Sequence, residues 1–394
     1  MRTQVGIIGA GPAGLVLAHL LAREGIEAVI LEKHTREHIE RRVRAGVLEQ
    51  GTVDLIHELG LGERMRREGM IHHGIQLSFA GRRHHIDFTG LTGREITVYG
   101  QQEVVKDLVQ AWIARGGAIH FSVEASAIDG LESDHPRIRY RAKDREEALE
   151  CDYVAGCDGS HGIARQAIPQ GALSVYEHVY PLAWLGILAQ ASPVQDELVY
   201  AYHPRGFALF SMRSPQVTRL YLQVSPDEKI ESWSDDRIWQ ELHARLDGAD
   251  GWRVNDGPVL EKSITAMRSH VVEPMQYRRL YLAGDSAHIV PPTGAKGLNL
   301  AVADALVLAR GLASYFKTGN RALLDGYSKT CLRRVWRAEH FSWWMTSMLH
   351  TFPGHGAFER RLQLSQLDYI AHSRPAATSL AENYVGLPMD WPGP

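Results

Sequence analysis

Hydrophobic positions along the chain change their period twice, and the changes mark three regions. Val5 to Ile8 is a short apolar run that reads as a strand. Pro12 then stands where a first helical residue often does, Leu15, Ala18, Leu21 and Ala22 recur at helical spacing, and Gly25 ends the pattern as a C′ residue. Ala28-Val29-Ile30-Leu31 is a second buried strand, closed by Glu32, so the chain opens as strand, tight turn, helix, strand. Between about Leu182 and Ser225 the pattern becomes short alternating strands with turn chemistry between them, as at His203-Pro204-Arg205-Gly206, which predicts an antiparallel sheet. Near Arg279 it returns to a short apolar strand, Leu280 to Ala283, followed by glycine-rich sequence and a helix through Ala301 to Leu312. The C-terminal third is mainly helical, and its Trp336, Trp343 and Trp344 suit a core or a subunit interface better than a cofactor site.

The opening carries the first chemistry. Gly9-Ala10-Gly11-Pro12-Ala13-Gly14 follows the first strand and starts the helix. Gly9 permits the tight turn, Gly11 lets the backbone approach a pyrophosphate at the helix N-terminus, and Gly14 allows close packing of helix on strand. Glu32, at the end of the second strand, suits a ribose hydroxyl pair and disfavours a 2′-phosphate, so FAD or NAD fits this pocket better than NADP. The expected architecture is mixed α/β: a Rossmann-like dinucleotide-binding domain interleaved with an antiparallel-sheet substrate domain and a C-terminal helical region. The expected boundaries are 1–73, 98–180 and 269–349 for the first, 74–97 and 181–268 for the second, and 350–394 for the third.

Composition narrows the function classes. The chain has 394 residues, with 43 basic against 46 acidic side chains, a net charge of −3. That near-balance argues against a nucleic-acid or membrane-surface binder. Three cysteines, Cys151, Cys157 and Cys331, with no CxxC pair, give neither a disulfide framework nor a zinc site, and no metal is expected. No signal peptide is read at the N-terminus, and the uncharged stretch from Val179 to Gln195 contains Pro181 and Pro193 and suits buried strands, so a cytoplasmic protein is the expectation.

Two further motifs choose between the dinucleotides. Cys157-Asp158-Gly159-Ser160-His161-Gly162-Ile163-Ala164-Arg165 and Leu282-Ala283-Gly284-Asp285-Ser286-Ala287-His288, continuing into Pro291-Pro292-Thr293-Gly294-Ala295-Lys296-Gly297-Leu298-Asn299, resemble the D-G and G-D motifs of the class A FAD-dependent aromatic hydroxylases. Arg42 to Gln50, Val98-Tyr99-Gly100-Gln101 and Glu382 to Pro388 resemble the branch of that family acting on 4-hydroxybenzoate, and the resemblance spans essentially the whole chain. Gly162 stands where the wider family usually has Ser. The resemblance implies FAD held by Gly9, Gly11, Pro12, Ala13, Gly14, Glu32, Arg42, Arg44, Gln101, Asp158, Asp285, Leu298 and Asn299. Arg219 is carried over as bearing on flavin position and reduction. A homodimer is also implied. Glycines near a flavin let backbone donors approach its pyrimidine edge and stabilise the charge gained on reduction.

Strand geometry adds a substrate pocket. Phe207 to Arg213 and Arg219 to Ser225 read as two strands joined by Ser214 to Thr218. A simple hairpin sets Arg213 opposite Arg219 and Ser211 opposite Tyr221, and the turn at 203–206 sets Tyr200 opposite Leu209. Residues two apart share a face, so Ser211, Arg213 and Tyr221 cluster, either as a carboxylate receptor, with Arg offering a planar donor fork, or as an exposed polar face. The resemblance gives the same three residues to the substrate carboxylate. It gives Tyr200, Tyr384 and His72 to a relay that carries the phenol proton towards solvent, histidine suiting the outer end because it titrates near neutral pH. The Pro292 carbonyl is placed against the phenolic oxygen. Only one G-x-G-x-x-G is present, and the resemblance implies that NADPH or NADH visits a surface cleft instead, with Lys33, His34, His38, Arg42, His161 and Arg268 as candidates. The implied activity is O2-dependent hydroxylation of a small phenolic acid, with 4-hydroxybenzoate leading. A related hydroxybenzoate, or an FAD oxidase or dehydrogenase on the same fold, is the alternative.

Overall fold

The computed structural model describes residues 1–42, 46–143, 145–249 and 251–388. The opening forms as its pattern requires: strand Arg2–Ile8, helix Pro12–Arg23 and strand Ala28–Glu32. Gly25, with φ of +76°, is the left-handed residue that turns the chain out of the helix. Ile7, Leu15, Leu17, Leu21 and Ile30 are all wholly inside.

Two sheets dominate. In the first, Leu280–Leu282, Arg145–Gly156, Arg2–Ile8, Ala28–Glu32 and Ala118–Phe121 lie side by side and parallel. Parallel strands share one carboxyl-terminal edge, and in such sheets that edge is where ligands bind. Three sequence motifs emerge there: Gly9–Gly14 after the first strand, Asp158–Gly162 after Arg145–Gly156, and Gly284–Asp285 after Leu280–Leu282.

The second sheet also has eight strands, in the order His288–Ile289, Val259–Glu273, Ser174–Ala189, Val217–Val224, Ala208–Ser214, Val199–Ala201, Gly74–Phe79 and Arg82–Asp87. It is antiparallel except where Val199–Ala201 pairs in parallel with Gly74–Phe79. Alternation separates two cores across it. Ala183, Leu185, Phe210, Leu220 and Leu222 pack on one side with helix Asp235–Leu246, while Trp184, Tyr200 and Leu209 join the C-terminal helices on the other.

Ser174–Ala189 and Val259–Glu273 are long paired strands, and their register shifts between Val179 and Ala183. The expected boundaries at 180/181 and 268/269 lie within these strands, close to the shift, so continuous sheet joins the two regions there.

The helix Gly297–Thr318 is long and apolar enough to cross a membrane, yet 67% of its apolar window is buried inside the fold. Helix Tyr327–Leu349 follows, with Trp336 and Trp343 exposed on it.

Candidate active site

The dinucleotide end is built from backbone. Helix Pro12–Arg23 has no side-chain cap, so its first N–H groups are free for an anion. A side-chain carbon added at Gly11 would meet nothing within 4 Å, whereas one at Gly14 would strike the Gly9 carbonyl at 2.1 Å. Gly11 therefore faces open space and Gly14 a packed strand. Glu32 is buried, its two carboxylate oxygens accepting from Ala10 N–H and His34 N–H, each at 2.8 Å.

At the other two motifs an aspartate organises the loop. Asp158 accepts from Ala164 N–H at 2.9 Å through one oxygen, and its other oxygen is buried without a partner. A side-chain carbon at Gly162 would stand about 2 Å from that carboxylate, so glycine there leaves Asp158 its place. Asp285 is exposed at the sheet edge. Beneath it, Asp304 accepts from Gly284 N–H at 2.9 Å and lies 2.6 Å from His288 Nε2, both side chains buried. A buried cradle with open backbone donors, a buried ribose-side carboxylate and the outward Asp285 carboxylate fits FAD.

Asn299 pins the start of its helix. Its side chain accepts from Glu49 N–H and donates to the Val47 and Ala295 carbonyls. Leu298 packs partly buried against the same core, and Gln101 begins helix Gln101–Ala114, half-buried. Arg44 lies outside the described residues, and Arg42 is exposed.

The substrate sheet gathers the second group. Tyr200 pairs with Leu209, as expected, and Leu209 with Tyr221, which pairs with Gly186. The hairpin register differs from the simple one: Ser211 faces Arg219, Leu209 faces Tyr221, and a bulge falls between Met212 and Ser214. The strands run further into the turn than the sequence suggests, leaving only Pro215 and Gln216 between them. A two-residue slip preserves faces, and Arg213 is the bulged residue. Arg213 Nη1 donates to Ser211 Oγ at 3.0 Å and to the Met212 carbonyl at 2.8 Å, and Tyr221 lies near enough to raise the pKa of the guanidinium. Ser211, Arg213 and Tyr221 therefore do meet. Burial lowers the Arg213 pKa, and its Nε is buried without a partner. Arg219 lies beside this group, its guanidinium 5.2 Å from the Tyr221 ring centroid and two of its nitrogens buried and unbonded. Gly186 makes room, since a side-chain carbon there would lie 2.8 Å from Arg219 Nη2.

At the far end of the same face, the Tyr200 and Tyr384 hydroxyls are 2.5 Å apart. Burial raises both pKa values. Tyr200 also donates to the Thr293 carbonyl at 3.3 Å. The Pro292 carbonyl, expected beside the phenolic oxygen, accepts from Ala295 N–H at 3.0 Å within its own turn. His72 is wholly buried with both ring nitrogens unbonded, and no hydrogen bond ties it to Tyr384. Burial, aided by the His73 and Arg213 charges, pulls its pKa to about 4, so it is a neutral imidazole at neutral pH rather than a group titrating there.

Residues not singled out from sequence hold Tyr384 in place. Lys296 is buried, pairs with Glu49 at 2.7 Å and donates to the Asn383 and Tyr384 carbonyls. The available signal was one lysine set in a glycine- and proline-rich run. The nicotinamide candidates are dispersed. Lys33, His38 and Arg42 are exposed after the second strand, with His34 stacked on His38 at 4.1 Å; His161 is exposed on the Asp158 loop; and Arg268 pairs with Glu177 at 3.4 Å. Among the described residues no group of three or more His, Cys, Asp or Glu could hold a metal ion.

A backbone cradle that fits FAD at a parallel sheet edge, with a buried arginine and a pair of buried phenols on the neighbouring sheet side, points to a flavoprotein hydroxylase. The chain belongs to that class: the FAD binding domain family model matches residues 2–342, and the family is that of the class A FAD-dependent aromatic hydroxylases. It is 45% identical over 391 residues to the p-hydroxybenzoate hydroxylase of Acinetobacter baylyi, covering 99% of this chain and 96% of that one. The rifampicin monooxygenase of Streptomyces venezuelae is 27% identical over 84% of this chain and 67% of its own. In fold, p-nitrophenol 4-monooxygenase PnpA from Pseudomonas putida superposes with a TM-score of 0.84 at 18% identity, over 98% of this chain and 99% of that chain.

Proposed function

We propose that this enzyme hydroxylates 4-hydroxybenzoate at the 3-position to 3,4-dihydroxybenzoate, using O2 and NAD(P)H. The observation that carries the reading is one sheet face bearing Ser211, Arg213 and Tyr221 and, beyond them, Tyr200, whose hydroxyl meets that of Tyr384 from the last helix. A para-hydroxy acid has its two polar groups at opposite ends of a flat apolar ring, and this face matches that order. The 45% identity to a p-hydroxybenzoate hydroxylase supports the same substrate.

Ser211, Arg213 and Tyr221 bind the carboxylate, and the bulge brings the Arg213 fork to it. Tyr200 accepts the phenol's hydrogen bond and shares the proton with Tyr384. A phenolate ring is far more nucleophilic than a phenol, and the buried hydroxyls pass its proton outward, towards His72 and solvent, without admitting water. The neutral His72 lone pair is the outer acceptor. Gly9, Gly11, Pro12, Ala13, Gly14, Glu32, Arg42, Arg44, Gln101, Asp158, Arg219, Asp285, Leu298 and Asn299 hold or border FAD. FAD supplies the acceptor for hydride and the centre at which O2 is activated. Lys33, His38, Arg42, His161 and Arg268 receive the nicotinamide nucleotide.

In this reading the three-part division at 73/74, 97/98, 180/181, 268/269 and 349/350 separates FAD, substrate and helical regions. The enzyme works in the cytoplasm as a homodimer, and the exposed Trp336 and Trp343 are candidates for the contact. The test follows NADPH and NADH oxidation, O2 uptake and product across a panel of benzoates. 3,4-Dihydroxybenzoate formed in step with NAD(P)H consumption supports the reading. Rapid NAD(P)H oxidation that no aromatic acid alters overturns it.

A further inference from the structure

One buried histidine outside this machinery ties two parts of the pocket together. His350 caps helix Tyr327–Leu349 and is wholly inside the protein. Its Nε2 lies 2.7 Å from the indole nitrogen of Trp184, and its Nδ1 lies 3.0 Å from the Thr346 carbonyl. An indole N–H can only donate. Nε2 must therefore offer its lone pair, and Nδ1 carries the proton that Thr346 accepts. Burial pulls the pKa to about 3, so the neutral form persists at working pH.

Both neighbours of this bond belong to the pocket wall. The Trp184 ring lies 4.9 Å from Tyr221 and stacks on Phe207 at 5.2 Å, Phe207 lies 4.3 Å from the His350 ring, and Tyr200 is 6.1 Å from Phe207. The same helix turn reaches the opposite side. Thr346 Oγ1 lies 2.8 Å from Thr293 Oγ1, and Thr293 supplies the carbonyl to which Tyr200 donates. One residue beyond His350, the Thr351 N–H donates to the Gln223 side chain at 3.0 Å, which also accepts from Phe207 N–H at 3.0 Å. The last turn of this helix thus contacts the loop at the hydroxyl end of the pocket and, through Trp184, the Tyr221 ring of the carboxylate receptor.

We propose that His350 is a positioning residue for the aromatic-acid pocket. Its bond to Trp184 fixes the indole plane on which Tyr221 and Phe207 pack, and so sets the distance between the carboxylate receptor and the Tyr200 hydroxyl. The inference rests on the proposed substrate reading and adds a residue that touches neither substrate nor FAD.

The test compares the FAD-loaded wild type with His350→Leu, which removes the acceptor, and His350→Gln, whose side-chain oxygen can reach the Nε2 position. Calorimetry gives the dissociation constant for 4-hydroxybenzoate, and product and peroxide per NAD(P)H give coupling. A buried indole N–H left without its acceptor is expected to weaken binding in His350→Leu by about tenfold and to divert more NAD(P)H to peroxide, while His350→Gln recovers most of both. Trp184→Phe keeps a ring and loses the donor, so it should show the same loss, and adding His350→Leu to it should cost little more; this arm holds if His350→Leu fails to fold. A folded His350→Leu with wild-type affinity and coupling overturns the inference alone, as does a Trp184→Phe that behaves like wild type. A wild type that binds no benzoate overturns the substrate reading beneath it.

Discussion

The hydroxyl oxygens of Tyr200 and Tyr384 lie 2.5 Å apart although 184 residues separate them in the chain. Tyr200 comes from a three-residue strand in the middle of the substrate sheet, and Tyr384 from the last helix, Arg374–Val385. Lys296 holds that helix by its Asn383 and Tyr384 carbonyls. Removing the inner hydroxyl should leave binding and reduction but not deprotonation. Tyr200→Phe is expected to oxidise NAD(P)H in response to 4-hydroxybenzoate while hydroxylated product falls by about a hundredfold and peroxide rises, the scale of losing an acid–base group. Product and peroxide assays on the same samples check it; efficient hydroxylation would remove Tyr200 from the relay.

Arg213 is where the pocket's affinity should concentrate. Its guanidinium donates to Ser211 and the Met212 carbonyl, lies beside Tyr221, and has a buried Nε still free to donate. Arg213→Ala is expected to cost about 2–5 kcal/mol of aromatic-acid binding, as truncating a buried charged pair does. Calorimetric titration with 4-hydroxybenzoate measures the loss. An unchanged constant would place the carboxylate elsewhere.

Much of this was legible in the sequence, for reasons that differ by element. The Gly9–Gly14 turn and Glu32 could be read because their local geometry depends on neighbours within a few residues. The Tyr200–Leu209 pairing followed from one tight turn. The Arg219 pairing did not, because a bulge at Arg213 and a two-residue loop shifted the register, and bulges leave no mark in a hydrophobic pattern. The choice of Tyr384 and His72 as relay members came from resemblance, since contacts between distant segments have no period. The neutral state of His72 depends on burial by strands far from it in sequence. Lys296–Glu49 and His350–Trp184 likewise join residues that only the folded chain brings together.

The Lys296–Glu49 pair should reveal itself as a stability term. Both side chains are buried, and no other described cation pairs with Glu49. Lys296→Met strands a buried carboxylate and is expected to destabilise the fold by about 3–5 kcal/mol. Adding Glu49→Gln should recover part of that, because the stranded charge is gone. Urea denaturation of the single and double variants measures it; additive losses would show that the pair does not act as a unit.

A buried carboxylate of the opposite kind gives a pH dependence. Glu339 accepts from Ser269 Oγ at 2.7 Å through one oxygen, and its other oxygen is buried without a partner. Burial pushes its pKa up to about 7 from an ordinary 4.5, against the lowering effects of Ser269 and of His288, whose own pKa the Asp304 carboxylate raises despite burial. Tyr180 faces the same cluster through Ser269. Between about pH 4.5 and 7 the folded protein keeps a proton that the unfolded chain releases, so this group's contribution is complete below the unfolded pKa and is lost as pH rises through the folded one. Glu339→Gln keeps an acceptor for Ser269 and never pays to bury a charge. Its unfolding free energy should exceed the wild type's by roughly 1–3 kcal/mol at pH 8, and the two should converge towards pH 5. Denaturant melts at both pH values test the sign. A variant equally shifted at both would show that Glu339 does not change its protonation on folding.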